Sequence, residues 1–224
     1  MHLTRRSREP ATVSNPSFDR RSDRSVPDDT ALVRFERSLL IGYEQWHDGV
    51  GYDVAALREL SVEQRRGIEA RLVPPDGWRD VEALAVIASL GSDSARAELR
   101  KAATSGSSEV QLAVLQHAPE LVPNDARVAS IVQALDAATP FDSFTTTLDQ
   151  VEAFHPQPVI DALWRGVETR QGDVAVHYAA MLAFLYGKAD EAFDWRLRPL
   201  FLEFNTADPA QRRAAIAKLR ALVG

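Results

Sequence analysis

The chain has 224 residues and a mass of 24.8 kDa, which suits one large domain or two small ones and suffices to bury a core without covalent staples. Hydrophobic residues make up 45% and charged residues 26%, ordinary globular proportions that exclude a collagen-like fibre and wholesale disorder. Cysteine is absent, which removes disulfides, thiolate metal sites and cysteine nucleophiles together, and the densest uncharged apolar run, residues 179–186, falls far short of the roughly 18 residues of a membrane span.

The net charge of −6 conceals two regions of opposite sign. Residues 1–25 carry six arginines (Arg5, Arg6, Arg8, Arg20, Arg21, Arg24) against three acids, whereas residues 26–224 hold 20 basic and 29 acidic side chains. Nucleic-acid binding relies on Lys and Arg displacing counterions from phosphates, so the acidic body disfavours that class and suits a basic partner. Residues 1–28 are rich in Ser, Arg, Pro and Asp and lack an apolar stripe; they read as a disordered basic tail. No apolar stretch of a secretory signal follows the early arginines, and the acids argue against an organelle presequence, so the expected location is cytoplasmic.

Beyond the tail, residues 29–224 read as one helical-repeat domain. Leu32, Phe35, Leu39, Leu40 and Tyr43 share a helical face and predict an opening helix over 30–45. Asp53 is placed to cap a short helix over 53–59, and Ser61-Val62-Glu63-Gln64 fits a capping box opening 62–72. Asp76-Gly77 precedes a helix over 78–90, and another covers 93–104. Ser107-Ser108 starts 108–117, with Val110, Ala113, Val114 and His117 in one stripe, and Asn124 starts 125–137, with Val128, Ile131, Val132 and Leu135 in another. Helices over 144–153 and 157–169 follow, the second on Ile160, Leu163, Trp164 and Val167. Gly172-Asp173 opens 173–186, then comes 191–204, and Asp208-Pro209 opens 209–222 with an acceptor at the cap and proline in the first turn. Strict two-residue alternation is hard to find anywhere, so the fold class is all-α with about 11–12 helices.

Two helices, 81–90 and 174–185, are apolar around most of their circumference and must be covered on every side. Stacking antiparallel helix pairs in two layers, with these as inner helices, achieves that. Successive pairs (78–104, 108–137, 144–169, 173–204) recur at roughly 30 residues, the signature of a solenoid. The expected architecture is a short right-handed HEAT-like α-α superhelix; a compact irregular helical bundle is the rival.

Strong catalytic and metal motifs are missing: no His-Glu-x-x-His, no Gly-x-Ser-x-Gly and no Gly-rich phosphate loop. Gly49-Val50-Gly51 and Gly187-Lys188 read as turns or helix ends. Of five histidines, His117 and His177 lie on or beside apolar stripes and read as hydrogen-bonded core residues, His155 reads as a turn residue, and His2 is in the tail. His47, Asp48 and Asp53 could ligate a metal only if the glycine turn folded back, and the plainer reading is a structural turn. Paired acids at Asp149/Glu152 have glycosidase-like spacing without a cleft signal and read as a solvated face. No catalytic, metal or cofactor site is therefore assigned. Two clusters remain as candidates for docking a protein partner: Trp46, His47, Asp48 and Tyr52, and Asp190, Glu191, Asp194 and Trp195, where acids beside aromatics suit a basic partner. The plainer reading of the second cluster buries its aromatics and sets its acids at a helix N-terminus.

Two stretches carry a family resemblance. Residues 35–57 read FERSLLIGYEQWHDGVGYDVAAL, followed by Asp76-Gly77-Trp78-Arg79-Asp80-Val81-Glu82-Ala83-Leu84. Further on, His177-Tyr178-Ala179-Ala180-Met181-Leu182 leads into Tyr186-Gly187-Lys188-Ala189 and then Phe193-Asp194-Trp195-Arg196-Leu197-Arg198-Pro199-Leu200-Phe201-Leu202-Glu203-Phe204. Together these resemble bacterial HEAT-like proteins found beside polymorphic toxins, a family of immunity proteins, with the match covering roughly residues 30–222. The resemblance implies neutralisation of a basic toxin domain by tight stoichiometric binding; the plainer reading of the motif residues Trp46, Gly49, Tyr52, Trp78, Arg79, Asp80, Lys188, Trp195, Arg198 and Pro199 is that they determine the fold. Two other functions are weighed against it. One is a regulatory or scaffold HEAT-repeat adaptor. The other is a HEAT-like DNA glycosylase, in which Trp164, Trp195 and Asp194 would act on a flipped base; the acidic body, with lysine only at positions 101, 188 and 218, speaks against it.

Overall fold

Helices begin where the sequence supplies an acceptor for first-turn N–H groups that have no intrahelical partner. The computed structural model describes residues 30–140 and 143–224, without the side chain of Trp46; the expected tail, 1–28, lies outside the described residues. Its helices are α1 (Ala31–Ser38), α2 (Tyr43–His47), α3 (Val62–Leu72), α4 (Trp78–Ser89), α5 (Asp93–Ser105), α6 (Ser108–His117), α7 (Asn124–Ala137), α8 (Phe144–Ala153), α9 (Gln157–Thr169), α10 (Gly172–Leu185), α11 (Arg198–Leu202) and α12 (Pro209–Val223). No strand occurs among the described residues, and the class is all-α. The capping box of α3 is present in both directions, and Ser107 and Asp208 accept from the first turns of α6 and α12.

Three expected helices are corrected. The helix expected over 30–45 breaks after Ser38, because α1 is tied down from another direction: the Ser38 hydroxyl donates to the Phe35 carbonyl at 2.6 Å and accepts from the Asp53 N–H at 2.9 Å. Only Phe35 of the expected stripe is buried, and Leu40, beyond the break, is 79% exposed. The helix expected over 53–59 shrinks to one 3₁₀ turn, Ala56–Arg58, whose first N–H is held by the Asp53 carboxylate at 3.2 Å. The helix expected over 191–204 is reduced to α11, because Asp194 captures the backbone around it in a turn.

Helices pack chiefly on near neighbours in chain order. One row of contacts runs α4–α6–α8–α10 and another α7–α9–α12, with cross-contacts such as α4 on α5 and α9 on α10. The apolar α10 packs against α8, α9, α11 and α12, and Val174, Tyr178, Met181 and Leu182 are all buried. A helix hydrophobic on every side thereby finds cover on every side. The buried apolar residues form one cluster reaching from Phe35 to Leu219.

The second row is fastened by side chains aimed at helix C-termini, where the last carbonyls lack intrahelical donors. Arg170, at the end of α9, donates to Asp136 O at 2.8 Å and to Ala138 O, closing α7. The buried Arg212 of α12 donates to the carbonyls of Val167 (3.1 Å), Arg170, Phe204 (3.2 Å) and Thr206, closing α9 and α11 together. Tyr178, fully buried on α10, donates its hydroxyl to Leu135 O at 2.7 Å and fills the space left by Gly166, where a Cβ would stand 2.3 Å from its ring.

Candidate functional site

A glycine turn builds the first wall of the site. Gly49, at φ 67°, ends α2 in the left-handed region that costs other residues energy, and the Val50 N–H returns to Gln45 O at 2.9 Å. Gly51 then lies against α4 so closely that a Cβ would stand 3.0 Å from Glu82 Oε2 and 3.5 Å from the Trp78 ring. Arg79 fastens this turn: its Nε donates to Val50 O at 2.7 Å while its guanidinium lies 4.6 Å from the Trp78 ring centroid. Tyr52 donates its hydroxyl to Asp80 Oδ1 at 3.0 Å and meets Phe35 edge-on at 6.0 Å. Burial, and then the adjacent Asp80 charge, push the Tyr52 phenol up to about 12, so it stays a protonated donor.

Between this turn and the α4–α6–α8 row opens a groove of about 620 Å³. Tyr52 and Trp78 form aromatic wall, Glu82 of α4 and Glu109, Gln116 and His117 of α6 supply polar groups, and Thr146 of α8 closes the far rim. Glu109 accepts the Trp78 backbone N–H at 3.3 Å. Neither Glu82 nor Glu109 enters a salt bridge with Lys or Arg among the described residues, although most nearby acids of α1–α5 do or are hydrogen-bonded. Burial lowers the His117 pKa, opposed by the charge of Glu82, so its ring favours the neutral form. A larger cavity, about 690 Å³, lies between α3 and the start of α5, but its buried Glu69 is satisfied by the Ser92 hydroxyl at 2.7 Å.

The residues expected from sequence divide unevenly around this groove. Tyr52 lines it. His47 and Asp48 are exposed on α2 and the turn after it, with His47 Nδ1 3.4 Å from Asp48 Oδ1; the side chain of Trp46 lies outside the described residues. Asp190 and Glu191 are exposed. Asp194 is only 4% exposed, and its oxygens accept from the Arg196 N–H at 2.9 Å, the Arg196 guanidinium at 3.1 Å and the Asp190 N–H at 3.3 Å. These hydrogen bonds from Arg196, side chain first, hold its carboxyl well below the usual carboxylate range and occupy the group within its own turn. The expected helix N-terminus beneath these acids is therefore replaced by a clamp, in which Arg196 neutralises the buried acid.

That clamp displays Trp195 at 69% exposure, against the expectation of buried aromatics, with the Arg198 guanidinium 5.1 Å from its ring centroid. A series of ring contacts links it back toward the groove: Trp195 to Phe193 (6.1 Å), Phe193 to His177 (5.1 Å) and His177 to Phe144 (5.5 Å) at the start of α8. His177 is half-buried between those rings, and burial lowers its pKa. His155 sits just past α8, its Nδ1 3.1 and 3.0 Å from the carbonyls of Val151 and Glu152.

Glu82, Glu109 and His117 were not singled out as site residues by sequence reasoning. Glu82 did leave a signal, the one acid within the apolar stretch 81–90, whereas Glu109 reads simply as an acid favoured in a first helical turn. Among the described residues no three metal-ligating side chains converge, and no helix is long and apolar enough to cross a membrane. Comparison with protein-family models, with curated proteins and with solved structures finds no match.

Proposed function

We propose that the protein is a non-enzymatic binding protein built as a HEAT-like superhelix, and most concretely a cytoplasmic immunity protein that neutralises a basic toxin domain by stoichiometric binding. The observation that carries this reading is the groove across α4, α6 and α8, where Glu82 and Glu109 stand beside two aromatic rings and, among the described residues, form no salt bridge with Lys or Arg. Carboxylates left unneutralised beside aromatic surface gain most from a cationic partner that brings its own charge. Row-wise packing of successive helices supports the superhelical part of the reading, since stacked repeats present an extended surface.

Co-expression with toxins encoded beside its gene tests the function. The expected result is restored growth with one of them and a 1:1 complex that dissociates faster as salt rises. Absence of rescue by the intact protein against every adjacent effector overturns the immunity reading. A partner that is a metabolic enzyme or signalling subunit would instead make the protein a regulatory adaptor.

A further inference from the structure

We propose that the groove across α4, α6 and α8 is an arginine-accepting socket, filled by a loop of the partner that inserts a guanidinium between Glu82 and Glu109 with its plane against Trp78 or Tyr52. This deepens the binding-protein reading and rests on it.

Three features favour a guanidinium over other occupants. Glu82, half-buried, and Glu109, exposed, line one groove from successive helices of one row, and a planar fork of several N–H donors matches carboxylates better than a compact ammonium does. The Trp78 ring already lies 4.6 Å from the chain's own Arg79 guanidinium, so the wall has demonstrated chemistry for a planar cation. The cavity, about 620 Å³, is of small-ligand size and holds an arginine with flanking backbone. Gln116, His117 and Thr146 at the far rim offer polar groups to that backbone. The surplus negative charge of the body, 29 acids against 20 bases over residues 26–224, draws such a loop in from a distance.

The socket is assembled before any partner arrives. Arg79 pins the glycine turn to α4, Asp80 fixes the Tyr52 ring and Glu109 holds the first turn of α4, so little ordering remains for binding to impose.

The test uses the full chain and an acetylated, amidated peptide of four Gly-Arg repeats, with four Gly-Lys repeats as control. Binding is read at low salt by calorimetry and by the indole N–H resonance of Trp78. The expected result is 1:1 binding that shifts this resonance, is at least about fivefold tighter for the arginine peptide, and weakens at least tenfold in Glu82→Gln/Glu109→Gln. Glutamine keeps the shape and can still accept the Trp78 N–H, and neither acid is ion-paired among the described residues, so this variant retains the fold.

Unchanged affinity in the double variant, equal binding of the lysine peptide, or shifts at Trp195 and Trp164 without Trp78 each overturn the proposal. So does a Trp78 shift produced without peptide by Arg5→Gln, Arg6→Gln, Arg8→Gln, Arg20→Gln, Arg21→Gln and Arg24→Gln together, since the occupant is then the chain's own N-terminal segment. The two readings fail separately. Toxin rescue that survives the double variant overturns the socket alone; a groove that takes the arginine peptide in a protein that neutralises no adjacent toxin supports the socket and overturns the immunity reading.

Discussion

In α7–α12 two guanidinium groups, the buried Arg212 and the half-buried Arg170, are turned onto backbone carbonyls, whereas in α1–α6 Arg34, Arg71 and Arg96 reach for carboxylates nearer the surface. Arg170 and Arg212 close the C-termini of α7, α9 and α11, and Tyr178 seals the α9–α10 contact. Both halves carry exposed pairs, such as Arg71–Glu36 in the first and Arg220–Glu168 in the second, and the packing of the first leaves room for the cavities beside α3 and α4. A buried carbonyl that loses its donor cannot recruit water, while an exposed ion pair that breaks is resolvated at once. The comparison assigns rigidity to the second half and binding capacity to the first, where Glu82 and Glu109 have no Lys or Arg salt-bridge partner among the described residues.

The largest expected effect breaks the better-fastened half. Arg212→Met leaves carbonyls at two helix ends without donors and should cost about 3 kcal/mol, read from urea unfolding. Gly166→Ala follows at about 2 kcal/mol: helix propensity gains roughly 1 kcal/mol, but the new methyl would stand 2.3 Å from a Tyr178 ring held by its own hydrogen bond. Tyr178→Phe keeps the ring and forfeits the Leu135 contact, a loss of about 1 kcal/mol. In the other half, Arg71→Gln should change stability by no more than about 0.5 kcal/mol, because both partners are half-exposed. Equal losses for Arg71→Gln and Arg212→Met would dissolve the contrast.

Acidification sharpens the comparison. Burial lowers the pKa of His177, so the unfolded chain takes up its proton first as pH falls below about 6.5, and stability declines from there toward the lower folded value. His117 contributes in the same sense from the groove. His177→Phe should flatten the change in urea midpoint between pH 7.5 and 5.5 while leaving the pH 7.5 value nearly intact. An unaltered slope would show that the ring stays accessible to protons. Asp194 acts at lower pH, since its depressed pKa contributes stability above the ordinary carboxylate range that is lost as acid protonates it.

Much of the fold was legible because local chemistry and tertiary demand agree along most of the chain. Ser61, Ser107 and Asp208 open helices where their side chains predict, and the all-round apolar α10 is enclosed as its sequence requires. The site was less legible. Tyr52 was singled out and lines the groove, but Glu82 and Glu109 stand 27 positions apart in sequence and line the same groove only because α4 packs on α6. The cluster around Asp194 misled for a related reason: its composition reads as exposed acid beside aromatic, and only the approach of Arg196 two residues on turns that acid inward.

The sequence by itself determined the all-α class, most helix limits, the absence of thiol chemistry and the acidic sign of the body, since each depends on residues a few positions apart or on sums that ignore position. Tertiary structure alone decided that the opening helix breaks at Ser38, that Trp195 is exposed while Asp194 is buried, and that Glu82 and Glu109 line one groove. Whether the pairing is short-range, as between Asp194 and Arg196, or joins distant segments, as α4 to α6, its energy exists only once folding brings the groups within a few ångströms and excludes water from between them.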